Sequence, residues 1–90
     1  MQFEWDPKKS KANVRKHGVS FEEAATVFFD DLSLTGDDPD HSLDEERFVV
    51  FGLSSVGRLL VVAYTERGKR IRIISARMMT GAERKLYEEG

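Results

Sequence analysis

Arg67, Lys69, Arg70, Arg72 and Arg77 lie in the stretch Y-T-E-R-G-K-R-I-R-I-I-S-A-R from Tyr64 to Arg77, threaded through an apolar, β-branched run. A strand with that much positive charge normally faces an anion. Arginine is well shaped for a phosphate, because its planar fork offers parallel N–H donors to two oxygens and stays charged at every relevant pH. Such a set can bind phosphate and stabilise the negative charge that develops when a phosphodiester is attacked. Alternation gives Arg70, Arg72 and Ile74 one parity and Ile71, Ile73 and Ser75 the other. The isoleucines then face the helices. Arg77 shares their parity, so it joins Arg72 only if the strand twists or bulges near Ser75 and Ala76. A plainer reading stays open, in which the basic residues solvate one strand face or pair with nearby carboxylates.

The chain around this stretch is slightly acidic. Its formal charge is −2, divided as +1 over residues 1–29, −7 over 30–57 and +4 over 58–90. A uniformly basic protein attracts nucleic acid by net charge, whereas this one has only a focused patch to do so. Its 90 residues make one domain, 1–90, with a modest core and no room for a separate cofactor domain. Cysteine is absent, which removes disulfides and thiolate metal sites and suits a reducing compartment. The charged N-terminus lacks the apolar region of a signal peptide, and the longest apolar run, Leu59 to Tyr64, is too short to span a bilayer. A cytoplasmic protein with no membrane association is expected.

The elements that must position the basic residues follow from periodicity and caps. Phe3 to Trp5 alternates as an edge strand. Asp6-Pro7 starts a helix that runs to Lys16 or His17 and stops at Gly18. Ser20 and Glu23 form a capping box before a second helix, whose stripe is Phe21, Ala24, Ala25 and Phe28. Residues 30–46 hold the eight acidic groups of the middle segment and read as a solvated, mobile loop around a short strand, Leu32 to Thr35. Strands Arg47–Leu53, Arg58–Thr65 and Lys69–Ala76 then form an antiparallel meander. Thr80 and Glu83 cap a last helix through Tyr87. The predicted class is α+β, a twisted, mainly antiparallel sheet with two N-terminal helices and one C-terminal helix.

Across nearly its whole length the chain resembles the BrnT toxins. The matching segments are N-x-x-K-H-G-V-S-F-E-E-A (Asn13 to Ala24), D-P-D-H (Asp38 to His41), E-E-R-F (Glu45 to Phe48), Y-T-E-R-G (Tyr64 to Gly68), I-R-I-I-S-A-R (Ile71 to Arg77) and E-R-x-x-Y (Glu83 to Tyr87). Met78-Met79 departs from the basic or small pair usual there. The resemblance implies a RelE-like fold and a ribonuclease that arrests translation. It also implies a BrnA-like antitoxin whose ribbon-helix-helix domain carries the complex to operator DNA. A RelE-type ribonuclease works without metal or other cofactor, by attack of the ribose 2′-OH on the adjacent phosphorus to leave a 2′,3′-cyclic phosphate.

That reaction needs a proton acceptor, positive charge around the phosphorane and an acid for the leaving 5′ oxygen. Arg67, Arg72 and Arg77 are the candidate phosphate clamp, with structural rivals: Arg67 as turn solvation, Arg72 paired with Glu46, and Arg77 neutralising the last helix. His17, Glu46 and Tyr87 are candidate proton-transfer groups. Each also has a structural reading, His17 as a helix C-terminal cation, Glu46 as an ion-pair partner and Tyr87 as a packed ring. Lys16, Arg47, Lys69 and Arg70 are candidate RNA contacts. Trp5 reads as a core or interface residue or as a base-stacking ring, and His41 as part of the solvated acidic loop. The alternative function is a non-catalytic binding module acting as the structural half of a repressor complex. A small-molecule enzyme finds no phosphate-cradling loop, nucleophile elbow or metal set to support it.

Overall fold

The computed structural model describes residues 1–38 and 46–90. Asp6, in extended conformation, accepts a hydrogen bond from Lys8 N at 2.9 Å and starts helix α1 (Pro7–His17) with Pro7 in its first turn. Gly18 ends it at φ 71°, and its N–H donates to Val14 O. Helix α2 (Phe21–Thr26) is followed by one 3₁₀ turn, Val27–Phe29. The strands are β1 (Gln2–Glu4), β2 (Leu34–Asp37), β3 (Phe48–Leu53), β4 (Leu59–Arg67) and β5 (Arg70–Met78), and helix α3 (Gly81–Glu89) follows them.

The strands form one sheet in the order β1-β5-β4-β3-β2, antiparallel throughout except that β1 runs parallel to β5. The first face of the sheet presents Val50, Leu60, Val62, Tyr64, Ile73 and Ala76 to Val19, Phe21, Ala24 and Val27. Phe28 lies against Tyr64, ring centroids 4.9 Å apart, and Trp5 lies edge-on to Phe21 at 6.2 Å. Trp5 is partly buried and packs against the core, in line with its core reading. Asn13 holds α1 at the β5 edge, beyond the end of β1. Its amide donates to Val19 O and Ala76 O, each at 2.8 Å, and accepts from Ala76 N at 3.2 Å. It takes up the backbone groups that Ala76 would otherwise offer to another strand.

A bulge decides which side the arginines face. Tyr64 pairs with Ile73 but Ala63 pairs with Ser75, so Ile74 is an extra residue in β5. Beyond it, Ala76 turns to the first face and is 1% exposed, while Arg77 turns to the second. The twist or bulge that the sequence pattern required is present.

Several expectations are corrected. Ser20 caps α2 through Glu23 N, but the Glu23 carboxylate bonds Arg58 and Ser54 rather than closing the box. The acidic segment is not solvated throughout, because Asp30 accepts from Leu32 N, Leu53 N and Tyr87 Oη. The short strand is Leu34–Asp37, displaced from Leu32–Thr35, and pairs with β3. Strands β4 and β5 both run two residues further than expected: Gly68 at φ 60° lets the hairpin close over Gly68 and Lys69, which carries β4 to Arg67, and β5 stays paired with β4 as far as Met78 opposite Leu60. His41 and the acids Asp40, Asp44 and Glu45 lie outside the described residues.

Candidate active site

The second face of the sheet, turned away from α2, carries the basic side chains. Arg67 and Arg70 stand directly opposite each other where the β4–β5 hairpin closes. Like charges opposed in this way are unfavourable without an anion or acid nearby. One step on, Thr65 pairs with Arg72, and Arg72 with Glu4 of β1. Continuing the β3–β4 register past Phe48–Tyr64 sets Arg47 beside Thr65, whose hydroxyl donates to Glu46 O at 2.8 Å. Asp38 N donates to Arg47 O at 3.0 Å. A transverse row therefore reads Asp38, Arg47, Thr65, Arg72 and Glu4. Next to it, Val49, Val61, Ala63 and Ser75 floor a shallow groove of about 150 Å³ bounded by Asp38 and Arg77.

Two carboxylates hold two of these arginines. Glu4 accepts from Arg72 at 2.9 Å and lies 3.6 Å from Arg70, and the hydrogen bond from Arg72 lowers its pKa. Glu83 takes both Arg77 Nη atoms, at 2.7 and 2.9 Å, while also accepting from Thr80 N at 2.8 Å to complete a capping box. The Arg77 contact brings Glu83 down to about 2. Neither acid is a useful proton acceptor near neutral pH, since a carboxylate whose charged form is so favoured is a weak base. They are counter-ions that a phosphate would have to displace. Arg47 is different: its Nε is buried and has no hydrogen-bond partner among the described residues. A desolvated donor without a partner is costly, which sets Arg47 apart from the two paired arginines.

The sequence candidates separate into those the face brings together and those it does not. Arg47, Arg67, Arg70, Arg72 and Arg77 share the second face. Glu46 is exposed at the head of β3, next to Arg47. Arg72 pairs with Glu4 and not with Glu46, while Arg77 does bond the last helix as its structural rival proposed. Lys69 is exposed in the hairpin turn. His17 and Lys16 are exposed in the last turn of α1 and are not drawn into the row. Tyr87 donates to Asp30 at 2.6 Å, and this bond pushes its hydroxyl up to about 12. Asp30 moves the other way: burial would raise it, but the bonds from Tyr87, Leu53 N and Leu32 N prevail and lower it. Tyr87 thus anchors α3 to the segment after the 3₁₀ turn. Sequence reasoning did not single out Glu4, Asp38, Thr65 or Ser75. Glu4 meets Arg72 only through a parallel pairing that no local pattern encodes, and Ser75 joins the face only because of the Ile74 bulge. Among the described residues no group of three His, Asp or Glu side chains is arranged to hold a metal ion.

The family model described as "Ribonuclease toxin, BrnT, of type II toxin-antitoxin system" matches residues 5–83. The chain belongs to the BrnT family. The matched segment contains Arg47, Arg67, Arg72 and Arg77, and leaves Glu4 and Tyr87 just outside it. No curated protein sequence matches the chain. Among solved structures, the crystal structure of the Brucella abortus ribonuclease toxin BrnT is similar, with a TM-score of 0.65 and 22% identity, over 89% of this chain and 97% of that one. At that identity the likeness speaks for the BrnT fold alone. The protein is thus a BrnT-family ribonuclease toxin of a type II toxin-antitoxin system, a class that works with an antitoxin partner. Among the described residues no helix is long and apolar enough to cross a membrane.

Proposed function

We propose that this toxin is a RelE-like, metal-independent endoribonuclease that arrests translation in the cytoplasm and cuts RNA on the second face of its sheet. The observation carrying this reading is the Ile74 bulge, which turns Arg77 to the side of Arg47, Arg67, Arg70 and Arg72. A phosphate seated over Ala63 and Ser75 would meet Arg47 and Arg72 on one flank and Arg77 on the other. Arg67 and Arg70 would neutralise the neighbouring nucleotide. The 2′-OH attacks phosphorus, its proton goes to a carboxylate beside Arg47, either Asp38 or Glu46, and the 5′ oxygen leaves protonated by solvent. The arginines lower the barrier by holding the dianionic phosphorane, and catalysis by charge of this kind is among the largest single contributions an enzyme makes. The partner in this reading is a BrnA-like antitoxin with a ribbon-helix-helix domain, and operator DNA is reached only through it.

The test is cleavage of a defined RNA by purified toxin in the presence of a chelator, with mass analysis of the ends. A 2′,3′-cyclic phosphate that disappears in Arg72→Ala and Arg77→Ala supports the reading. Abolition by chelator with rescue by a divalent ion contradicts it. A second reading, a non-catalytic binding module, gains weight from Glu4 and Glu83, which satisfy two of the arginines as a purely structural pair would. Induced expression separates the two: growth arrest relieved by the antitoxin belongs to a toxin, and indifferent growth to a binding module.

A further inference from the structure

Helix α1 carries Lys8, Lys9, Lys11, Arg15 and Lys16, with His17 at its end and no carboxylate anywhere in its 11 residues. That is +5 on one helix of a protein whose formal charge is −2. All five cations are exposed, and none has an ion-pair partner among the described residues. Arg15, Lys16 and His17 sit in the last turn, where the helix dipole favours positive charge. Lys8 and Lys9 sit in the first turn, where it opposes positive charge and acidic residues are the norm. The helix therefore bears a local cost that its own stability does not explain, the usual mark of a surface kept for a partner.

We infer that α1 is a second RNA-binding surface, one that grips the phosphate backbone outside the cleavage face; this rests on the reading of the arginine face as the RNA site. The elements that carry the two surfaces adjoin. Strand β1, whose Glu4 lies beside Arg70 and Arg72, runs through Trp5 and Asp6 into α1, and α1 packs along β5. Lys8, Lys11 and Arg15 follow i, i+3, i+7 spacing and so share one face, about 10 Å from first to last. That is long enough to meet more than one phosphate of a strand. The chemistry favours a polyphosphate over an acidic protein. The exposed face has no aromatic ring, and Val14, at 46% exposure, is its one large apolar side chain, whereas protein interfaces rely on apolar and aromatic anchors. With cations alone the contact is independent of sequence and sensitive to salt.

The experiment combines Lys8→Gln, Lys9→Gln and Lys11→Gln in the full chain and measures binding of a labelled 2′-O-methyl RNA, which cannot be cut, by anisotropy across a salt series. Glutamine keeps helix propensity. The expected result is ~10-fold weaker binding at low salt and a log–log salt slope shallower by about 1.4, from about 0.7 for each of the Lys8 and Lys11 contacts on a single strand, with Lys9 turned away from their face. The thermal midpoint should stay equal or rise, since the dipole is relieved, and on cleavable RNA the loss should fall on KM. An unchanged salt slope overturns the inference. So does a lowered midpoint with loss of kcat, which would make the lysines structural. Weaker antitoxin binding with an unaltered RNA slope would assign the helix to an acidic protein and overturn it too. If the wild type cuts no RNA yet the triple variant binds the methylated RNA more weakly, the ribonuclease reading falls and the docking surface stands.

Discussion

Replacing Glu83 with glutamine separates the structural and functional demands on Arg77. Glutamine still serves as the third residue of a capping box, so the start of α3 is preserved and only the charge is lost. Glu83 moves from 4.5 to about 2 in the folded protein, chiefly through the Arg77 bond. Taken whole, that displacement corresponds to about 3 kcal/mol of stability at neutral pH. The Arg77 side chain is 43% exposed, so water screens the pair and the net effect should be about 1 to 2 kcal/mol. The sign follows from the direction. A carboxylate with a depressed folded pKa contributes fully above its unfolded value and loses that contribution as pH falls through the folded one. Denaturant unfolding at stepped pH should therefore show wild-type stability falling between pH 4.5 and about 2, with a flatter profile for Glu83→Gln. In the same variant Arg77 is released from its counter-ion, so RNA cleavage should show a lower KM. Parallel stability profiles through that window would mean the pair contributes nothing. A raised KM would mean that Glu83 positions Arg77 for substrate instead of competing with it.

Arg72→Ala and Arg77→Ala should each slow RNA cleavage by roughly a hundredfold, about 3 kcal/mol, with circular dichroism unchanged; normal rates in both would remove the phosphate role. Asn13→Ala strips partners from Ala76 N, Ala76 O and Val19 O at once, so chemical denaturation should show a loss of about 2 to 4 kcal/mol, and a loss under 1 would mean that water replaces the amide. Tyr87→Phe removes the bond to Asp30 and should speed hydrogen exchange in α3 while leaving the sheet amides protected; unchanged exchange would show that α3 is held by other contacts. Phe21→Ala opens the fully buried centre of the core and should cost about 3 to 5 kcal/mol by the same denaturation assay.

Much of the fold was legible because it depends on neighbours in the chain. Asp6 with Pro7, Gly18, and Thr80 with Glu83 mark helix ends through bonds spanning two to four residues, and each behaves as read. Only the Ser20 half of the first box forms. Its local geometry survives, but Arg58, 35 residues away, outcompetes the backbone N–H for the Glu23 carboxylate because a charged, bidentate donor is the stronger partner. Asp30 departs from expectation for a similar reason. In sequence it belongs to an acidic, polar stretch, yet Leu53 N and Tyr87 reach it from 23 and 57 residues away.

The candidate site divides along the same line. Composition and alternation were enough to mark the stretch from Arg67 to Arg77 as a basic strand and a candidate for anion binding, because charge and side-chain parity are properties of the chain itself. Whether Arg77 stood with Arg72 or behind it was undetermined, since one extra residue reverses a strand's faces and the pairing of β4 with β5 decides where that residue goes. The partners of the arginines were likewise set by tertiary structure. Glu4 reaches Arg72 across 68 residues through a parallel pairing, and Arg47 comes beside Thr65 only through the β3–β4 register. Local bonds repeat a motif wherever it occurs, whereas contacts between distant residues exist only once the sheet has closed, and those contacts gathered the arginines of three strands onto one face.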